Sequence, residues 1–203
     1  PYTAGSTLLE SALFDEGWQE NLGIDYGDLE WALTGERLTL ESFAKYREQG
    51  GWVIIHSMTD ELIEWAIGHP DILVASDGVP FIDGRAHPRG AGCFSRVLGL
   101  YVREKGVIDL MDALAKISLR PAQRLETIAP AFEKKGRIQE GADADITVFD
   151  PDTVRDQATF QEPAVPSVGI HHVIVNGTPI IVDGELIPDV FPGKALRSQF
   201  ASE

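Results

Sequence analysis

Cysteine is almost absent: Cys93 is the only one among 203 residues. A lone cysteine excludes an intrachain disulfide and fits a reducing compartment, so a cytoplasmic location is expected. Basic side chains are scarce as well, 17 against 32 acidic ones, for a formal charge of −15. That balance argues against nucleic acid or an anionic membrane surface as a partner. No apolar run is long enough to span a bilayer. Histidine occurs only at 56, 69, 87, 171 and 172, and never as His-x-His. A histidine-based metal shell therefore cannot be assembled from these residues. Internal repeats and low-complexity tracts are missing, which excludes a solenoid or propeller.

What is present reads as a globular chain, 43% hydrophobic and 24% charged, long enough for one large or two small domains with a sizeable core. Residues 1–50 are glycine-rich and carry one clear helix. Thr39 caps it and Gly50-Gly51 ends it, in a left-handed C-cap. Trp18 and Trp31 are expected to form a small core there. From Trp52 the pattern changes. Trp52-Val53-Ile54-Ile55-His56 is strand-like, Thr59 caps a helix over 61–67, Gly68-His69-Pro70 stops it, and residues 72–75 are apolar again. Strand, helix, strand predicts a βαβ unit with parallel pairing. After a loop at 78–91, helices are predicted over 93–104 and 108–117, then a third over 122–128, opened by Pro121 in its first turn. Beyond residue 134 short strands take over at 146–149, 171–175 and 179–182. Asn176-Gly177 marks a hairpin, and 151–169 reads as an extended loop.

Two residues carry the chemistry. Asp77, in Ser76-Asp77-Gly78, follows the apolar stretch 72–75, at the strand end where α/β barrels keep their reactive groups. Arg89, in His87-Pro88-Arg89, follows one short loop later. The pair reads either as a base beside a carboxylate-binding cation, or as a turn-capping aspartate and a surface ion pair. His56, at the end of its strand, reads as a pocket-wall or packing residue. His69, His171 and His172 read as structural, and Cys93, Met58 and Trp65 as packing.

The segments Asp77-Gly78-Val79-Pro80, His87-Pro88-Arg89 and Phe94-Ser95-Arg96-Val97-Leu98-Gly99 resemble the C-terminal half of N-acyl-D-amino-acid deacylases of the amidohydrolase superfamily. So do Pro1-Tyr2-Thr3-Ala4-Gly5-Ser6-Thr7, the tract from Gly141 through Asp143-Ala144-Asp145 to Asp150-Pro151, Val173-Ile174-Val175-Asn176-Gly177, and Pro192-Gly193-Lys194-Ala195-Leu196-Arg197. The resemblance implies an α/β fold: the last part of a metal-dependent-hydrolase (β/α)8, or TIM, barrel plus strands of a small β-sandwich. It divides the chain into an insertion between late barrel strands (1–51), the last barrel strands and helices (52–133), and part of the sandwich with a tail (134–203).

For function, the resemblance implies hydrolysis of N-acyl-D-amino acids to a carboxylate and a free D-amino acid. Asp77 would be the catalytic base, and the only residue here within reach of the metal. Arg89 would take the substrate carboxylate through two parallel hydrogen bonds, with Arg85 as its substitute. Ser6 would assist, turn-capping being its other reading, and His87 would orient the loop. The cofactor implied is Zn2+ or another divalent metal, mostly held by ligands outside this chain. The partners implied are a small N-acyl amino acid and the N-terminal half of the same enzyme. Starting at Pro1 without methionine, the sequence reads as a fragment, expected to be inactive when isolated. Two alternatives stay open: an amidohydrolase acting on a cyclic amide or dipeptide, and a non-catalytic fragment.

Overall fold

A computed structural model describes residues 1–198. The described chain forms two compact units: Pro1–Ala66 with Ser76–Cys93 and Gln157–Pro166, and Ile67–Ala75 with Phe94–Asp156 and residues 167–198.

The first unit is built on an antiparallel sheet. Its strands are β1 (Gly5–Leu8), β2 (Leu29–Trp31), β3 (Glu36–Arg37) and β4 (Trp52–Ile55), in the order β1-β4-β2-β3. Successive residues of a strand face opposite ways, and the sequence uses both faces. Odd positions Leu29, Trp31 and Val53 join Leu9, Phe14, Trp18 and others in an apolar core. Helix α1 (Trp18–Leu22) supplies Trp18, and α2 (Leu40–Gln49) supplies Phe43 and Tyr46, three apart on one helical face. Trp31 stacks on Tyr46 with ring centroids 4.4 Å apart, and Trp18 stacks on Phe43 at 5.3 Å. Even positions Ser6, Glu30, Ala32, Ile54 and His56 face the other side. Thr39 caps α2 through a capping box with Ser42, and Thr59 Oγ1 accepts from Leu62 N in α3 (Asp60–Gly68), both as the sequence predicts.

The second unit takes up α4 (Arg89–Arg96) where it runs on into a π-helical stretch, Val97–Glu104. A longer rod follows: α5 (Leu110–Leu114), a second π-helical stretch Ala115–Leu119, and α6 (Arg120–Leu125). The predicted helices at 108–117 and 122–128 are thus joined. Pro121 offers no N–H, and widened turns just ahead of it let the backbone absorb that missing bond. Lys116, 2% exposed, donates from Nζ to the carbonyls of Ile67 at 2.6 Å and of His69, closing the end of α3. An antiparallel sheet completes the unit: β5 (Ile146–Phe149), β6 (Ile170–Val175), β7 (Thr178–Val182) and β8 (Glu185–Leu186), in sequence order. Asn176-Gly177 makes the predicted hairpin, both residues at positive φ. Asp183-Gly184 repeats the device and produces β8, which the sequence reading passed over although Asp-Gly is an equally good signal.

Two expectations fail. No parallel pairing occurs among the described strands, and residues 72–75 form no strand. Both edges of β4 are occupied by β1 and β2, so β4 offers no ladder for a βαβ partner; Val74 N instead donates to Lys116 O at 3.4 Å. Trp65, expected to pack, is 59% exposed. The mixed α/β composition stands.

The aromatic core makes one sharp demand. Gly51 sits at φ +144°, and a Cβ there would lie 2.6 Å from the Trp31 ring. Gly51→Ala combines backbone strain with overpacking and is expected to cost about 2–4 kcal/mol. Urea unfolding should show a lower midpoint, and an unchanged midpoint would mean that the Trp31–Tyr46 stack yields easily.

Candidate active site

Ser6, Asp77 and Arg89 come from three separate places in the sequence and meet at one guanidinium. Arg89 opens α4, Ser6 lies on the even face of β1, and Asp77 sits in the loop between them. Arg89 Nη2 lies 2.7 Å from Asp77 Oδ2 and donates to Ser6 Oγ at 3.0 Å. Arg89 Nε donates to the backbone carbonyl of Asp77 at 2.7 Å. The arginine side chain is only 11% exposed, whereas the aspartate is 81% exposed. A cation is thus held in a wall while its carboxylate partner faces water. Asp77 adopts φ +48°, a left-handed conformation that aspartate tolerates better than most residues. Of the five guanidinium N–H groups, these contacts use three and leave the pair on Nη1.

His87 anchors the loop that carries the cluster. It is 1% exposed. Nε2 donates to Ala4 O at 2.9 Å, and Nδ1 accepts from Arg89 N at 3.1 Å. These two bonds select the neutral Nε2–H tautomer. They fasten the start of α4 to the residue two before Ser6. Tyr2 and Phe160 pack edge-on against the ring. Burial pushes the imidazole down from 6.5 to about 4, with the Ala4 carbonyl opposing and the nearby Arg89 and His56 assisting.

A cavity of about 150 Å³ adjoins the cluster. Trp52 and Ile54 on the sheet and Val79 and Ile82 on the loop give it apolar walls. Ser6, Arg85 and His87 are its polar lining. Arg85 does not share the Asp77 site: it lines this cavity and donates from Nη1 to Gln161 O at 2.8 Å. A larger cavity, about 620 Å³, lies within the second unit and is lined by none of the candidate residues.

The remaining flagged residues play other parts. His56 packs on Phe160 and bonds Glu30, Nε2 to Oε2 at 2.9 Å, and it does not line the cavity. Glu30, 5% exposed, was not foreseen; Arg37 Nε lies 3.6 Å from the same oxygen. Its only signal is alternation, since Leu29-Glu30-Trp31 places it opposite the core. His69 Nδ1 accepts from Asp71 N and His172 Nδ1 from Asp183 N. Cys93 is buried, and burial raises its thiol pKa. Among the described residues no three His, Cys, Asp or Glu side chains gather closely enough to hold a metal ion. Nor is any helix among them long and apolar enough to cross a membrane.

Comparison with known proteins places this geometry in context. The model of the amidohydrolase family matches residues 43–181. An N-acyl-D-glutamate deacylase of Alcaligenes xylosoxydans xylosoxydans is 40% identical over 144 residues, 71% of this chain and 28% of the relative. A D-aminoacylase of the same organism is 40% identical over 127 residues, 62% of this chain and 25% of the relative. Among solved structures, N-acyl-D-glutamate deacylase from Bordetella bronchiseptica, complexed with zinc and a phosphonate inhibitor, superposes with TM-score 0.77 at 33% identity. The match covers 97% of this chain and 41% of that one. The chain therefore spans well under half the length of each of these proteins.

The buried His87 has a pH signature. Between 6.5 and about 4 the unfolded chain binds the imidazole proton and the folded chain does not. Its contribution to stability is therefore complete above about pH 6.5 and is lost as pH falls toward 4, on the order of 3 kcal/mol. Urea titrations at pH 7 and pH 4.5 should show the loss, and His87→Gln should flatten that part of the profile. An equal slope in the variant would assign the acid sensitivity elsewhere.

Proposed function

The chain belongs to the amidohydrolase family, and we propose that it supplies the acid–base carboxylate and the substrate-carboxylate site of an enzyme that hydrolyses N-acyl-D-amino acids. The observation that carries the reading is Arg89, its side chain nearly buried and its guanidinium held between Asp77 and Ser6. A recessed arginine with an unused N–H pair suits a ligand with a free carboxylate, because a planar fork matches its two oxygens. Ser6 adds a hydroxyl beside that position. Arg85, set on the cavity, is the weaker candidate for the α-carboxylate.

Amide hydrolysis adds water across C–N. The attacking water loses a proton, and the departing nitrogen must gain one to leave as an amine. Asp77 is exposed and positioned to take the first proton and deliver the second, while Arg89 keeps the substrate in register. A divalent metal, zinc first, is the cofactor of this reading; bound, it would activate the water and polarise the carbonyl. Asp77 is the one described residue that could touch it, and the described residues do not form a metal site by themselves. Its other ligands, in this proposal, come from the portion of the relatives' length that this chain does not span. On the same reading residues 1–51 are an insertion between late barrel strands, 52–133 the last barrel strands and helices, and 134–203 part of a β-sandwich with its tail.

Two substitutions in the zinc-loaded enzyme containing this chain test the assignment. Asp77→Asn keeps the shape but cannot accept a proton, so kcat should fall about 100-fold or more with KM little changed. Near-normal turnover would remove Asp77 from the role. Arg89→Lys replaces a fork by a point charge and should raise KM about 10- to 100-fold for N-acyl-D-amino acids. Substrates whose carboxylate is amidated should be affected far less; equal losses would make Arg89 structural.

A further inference from the structure

Four places in the sequence pair asparagine or aspartate with a following glycine: Asp77-Gly78, Asp83-Gly84, Asn176-Gly177 and Asp183-Gly184. Such pairs are chemically labile. The glycine backbone nitrogen loses its proton to solvent and attacks the side-chain carbonyl carbon of the residue before it. Glycine, with no Cβ, leaves that approach open. A C–N bond forms and closes a succinimide ring, while ammonia leaves from asparagine or water from aspartic acid. Water then opens the ring at either carbonyl, giving aspartate or isoaspartate, and isoaspartate carries one extra carbon in the backbone. Water is the only other reactant. By side-chain chemistry alone Asn176-Gly177 is the weakest of the four, because an amide accepts the nucleophile more readily than a carboxylate does.

The fold reverses that order. The attacking nitrogen of Gly177 donates to Ala144 O at 2.9 Å, and Asn176 N donates to Asp145 Oδ1 at 2.6 Å. Their turn also closes the β6–β7 ladder. Gly184 N donates to His171 O at 2.9 Å, in the turn that closes β7 on β8. Gly78 N donates to Ser76 Oγ at 3.4 Å, and the Asp77 carboxylate is paired with Arg89. Asp83-Gly84 has none of these restraints. Among the described residues nothing accepts from Gly84 N and nothing pairs with the Asp83 carboxylate. Phe81, Ile82, Asp83 and Gly84 are all exposed. A single residue pair closes the turn, Ile82 N donating to Arg85 O at 2.9 Å and Arg85 N to Ile82 O at 2.8 Å. Attack requires the backbone at Asp83, now at φ +50°, to rotate until its side chain meets the next nitrogen. A turn held by two bonds at an exposed loop tip opens at lower cost than one built into a ladder.

We infer that Asp83 is a modification site: in the folded protein it is the residue of the four that converts to isoaspartate, ahead of Asn176. The conversion lengthens the turn by one backbone carbon, so Ile82 and Arg85 lose their register in the loop that leads to Arg89. This inference is independent of the deacylase reading.

The test ages the folded enzyme containing this chain in warm buffer at pH 6.5 for several weeks. Peptide mapping by mass spectrometry with electron-transfer fragmentation then tells isoaspartate from aspartate at each site. Isoaspartate should accumulate at position 83 and stay at background at 77, 176 and 183. Asp83→Asn removes the difference in side-chain chemistry and makes the comparison quantitative. In the folded variant, checked by circular dichroism, position 83 should deamidate at least about 10-fold faster than Asn176, the factor for one protecting hydrogen bond that must first be broken. In urea, where neither nitrogen is protected, the two positions should react alike. Absence of isoaspartate from position 83 in the aged wild-type protein would overturn the inference. So would Asn176 keeping pace with position 83 in the folded variant.

Discussion

An arginine whose side chain is only 11% exposed must have partners, because an uncompensated charge withdrawn from water is too costly to keep. Arg89 satisfies that requirement with a carboxylate, a hydroxyl and a carbonyl drawn from two distant stretches of chain. Everything near it follows from keeping those three acceptors in place. Ser6 is held by the β1–β4 ladder, in register with Ile54. Asp77 is held by a left-handed backbone that turns its carboxylate toward solvent. The first residue of α4 is held by His87, which spends both ring nitrogens on the task. The arginine is thus simultaneously the structural knot of the loop and the group best suited to receive an anion.

The sheet of the first unit separates its aromatic core from the face that carries Ser6 by the simplest means available, the alternation of a β-strand. One face buries Leu29, Trp31 and Val53 under the aromatic residues of α1 and α2. The other carries Ser6, Ile54 and the Glu30–His56 pair. Packing on the first face stiffens the second, since interiors close-packed at crystal density transmit displacement instead of absorbing it. The close approach of Gly51 to Trp31 shows how little slack remains. A site that depends on a contact between Ser6 and Arg89, 83 residues apart, needs a support of that stiffness.

The second unit works by different rules. Its rod from α5 to α6 is long enough to carry Lys116, whose buried ammonium closes the end of α3 through two carbonyls. Burial, and then the neighbouring Arg120, lower the pKa of that ammonium. Its sheet is a succession of hairpins with tight turns at Asn176-Gly177 and Asp183-Gly184. None of the residues assigned to acid–base or carboxylate roles lies in this unit.

Local grammar was legible in the sequence by itself. Thr39 and Thr59 as helix caps and Asn176-Gly177 as a hairpin depend on residues a few positions apart, where sterics and hydrogen bonding act without the rest of the fold. The motif pattern also singled out Asp77, Arg89 and Ser6. Strand partners were not legible. Residues 72–75 have the composition of a parallel strand, yet the edges of β4 went to β1 and β2, and only three-dimensional competition for those edges decides that. Buried polar groups were equally hidden: Glu30 and Lys116 look like surface charges until their partners, dozens of residues away in the chain, are brought beside them. The convergence of Ser6, Asp77 and Arg89, and the separation of Arg85 onto its own cavity, belong to the same class. Sequence supplies the side chains and their local conformations, while long-range pairing, where chain entropy is spent to bring distant segments together, decides which of them meet.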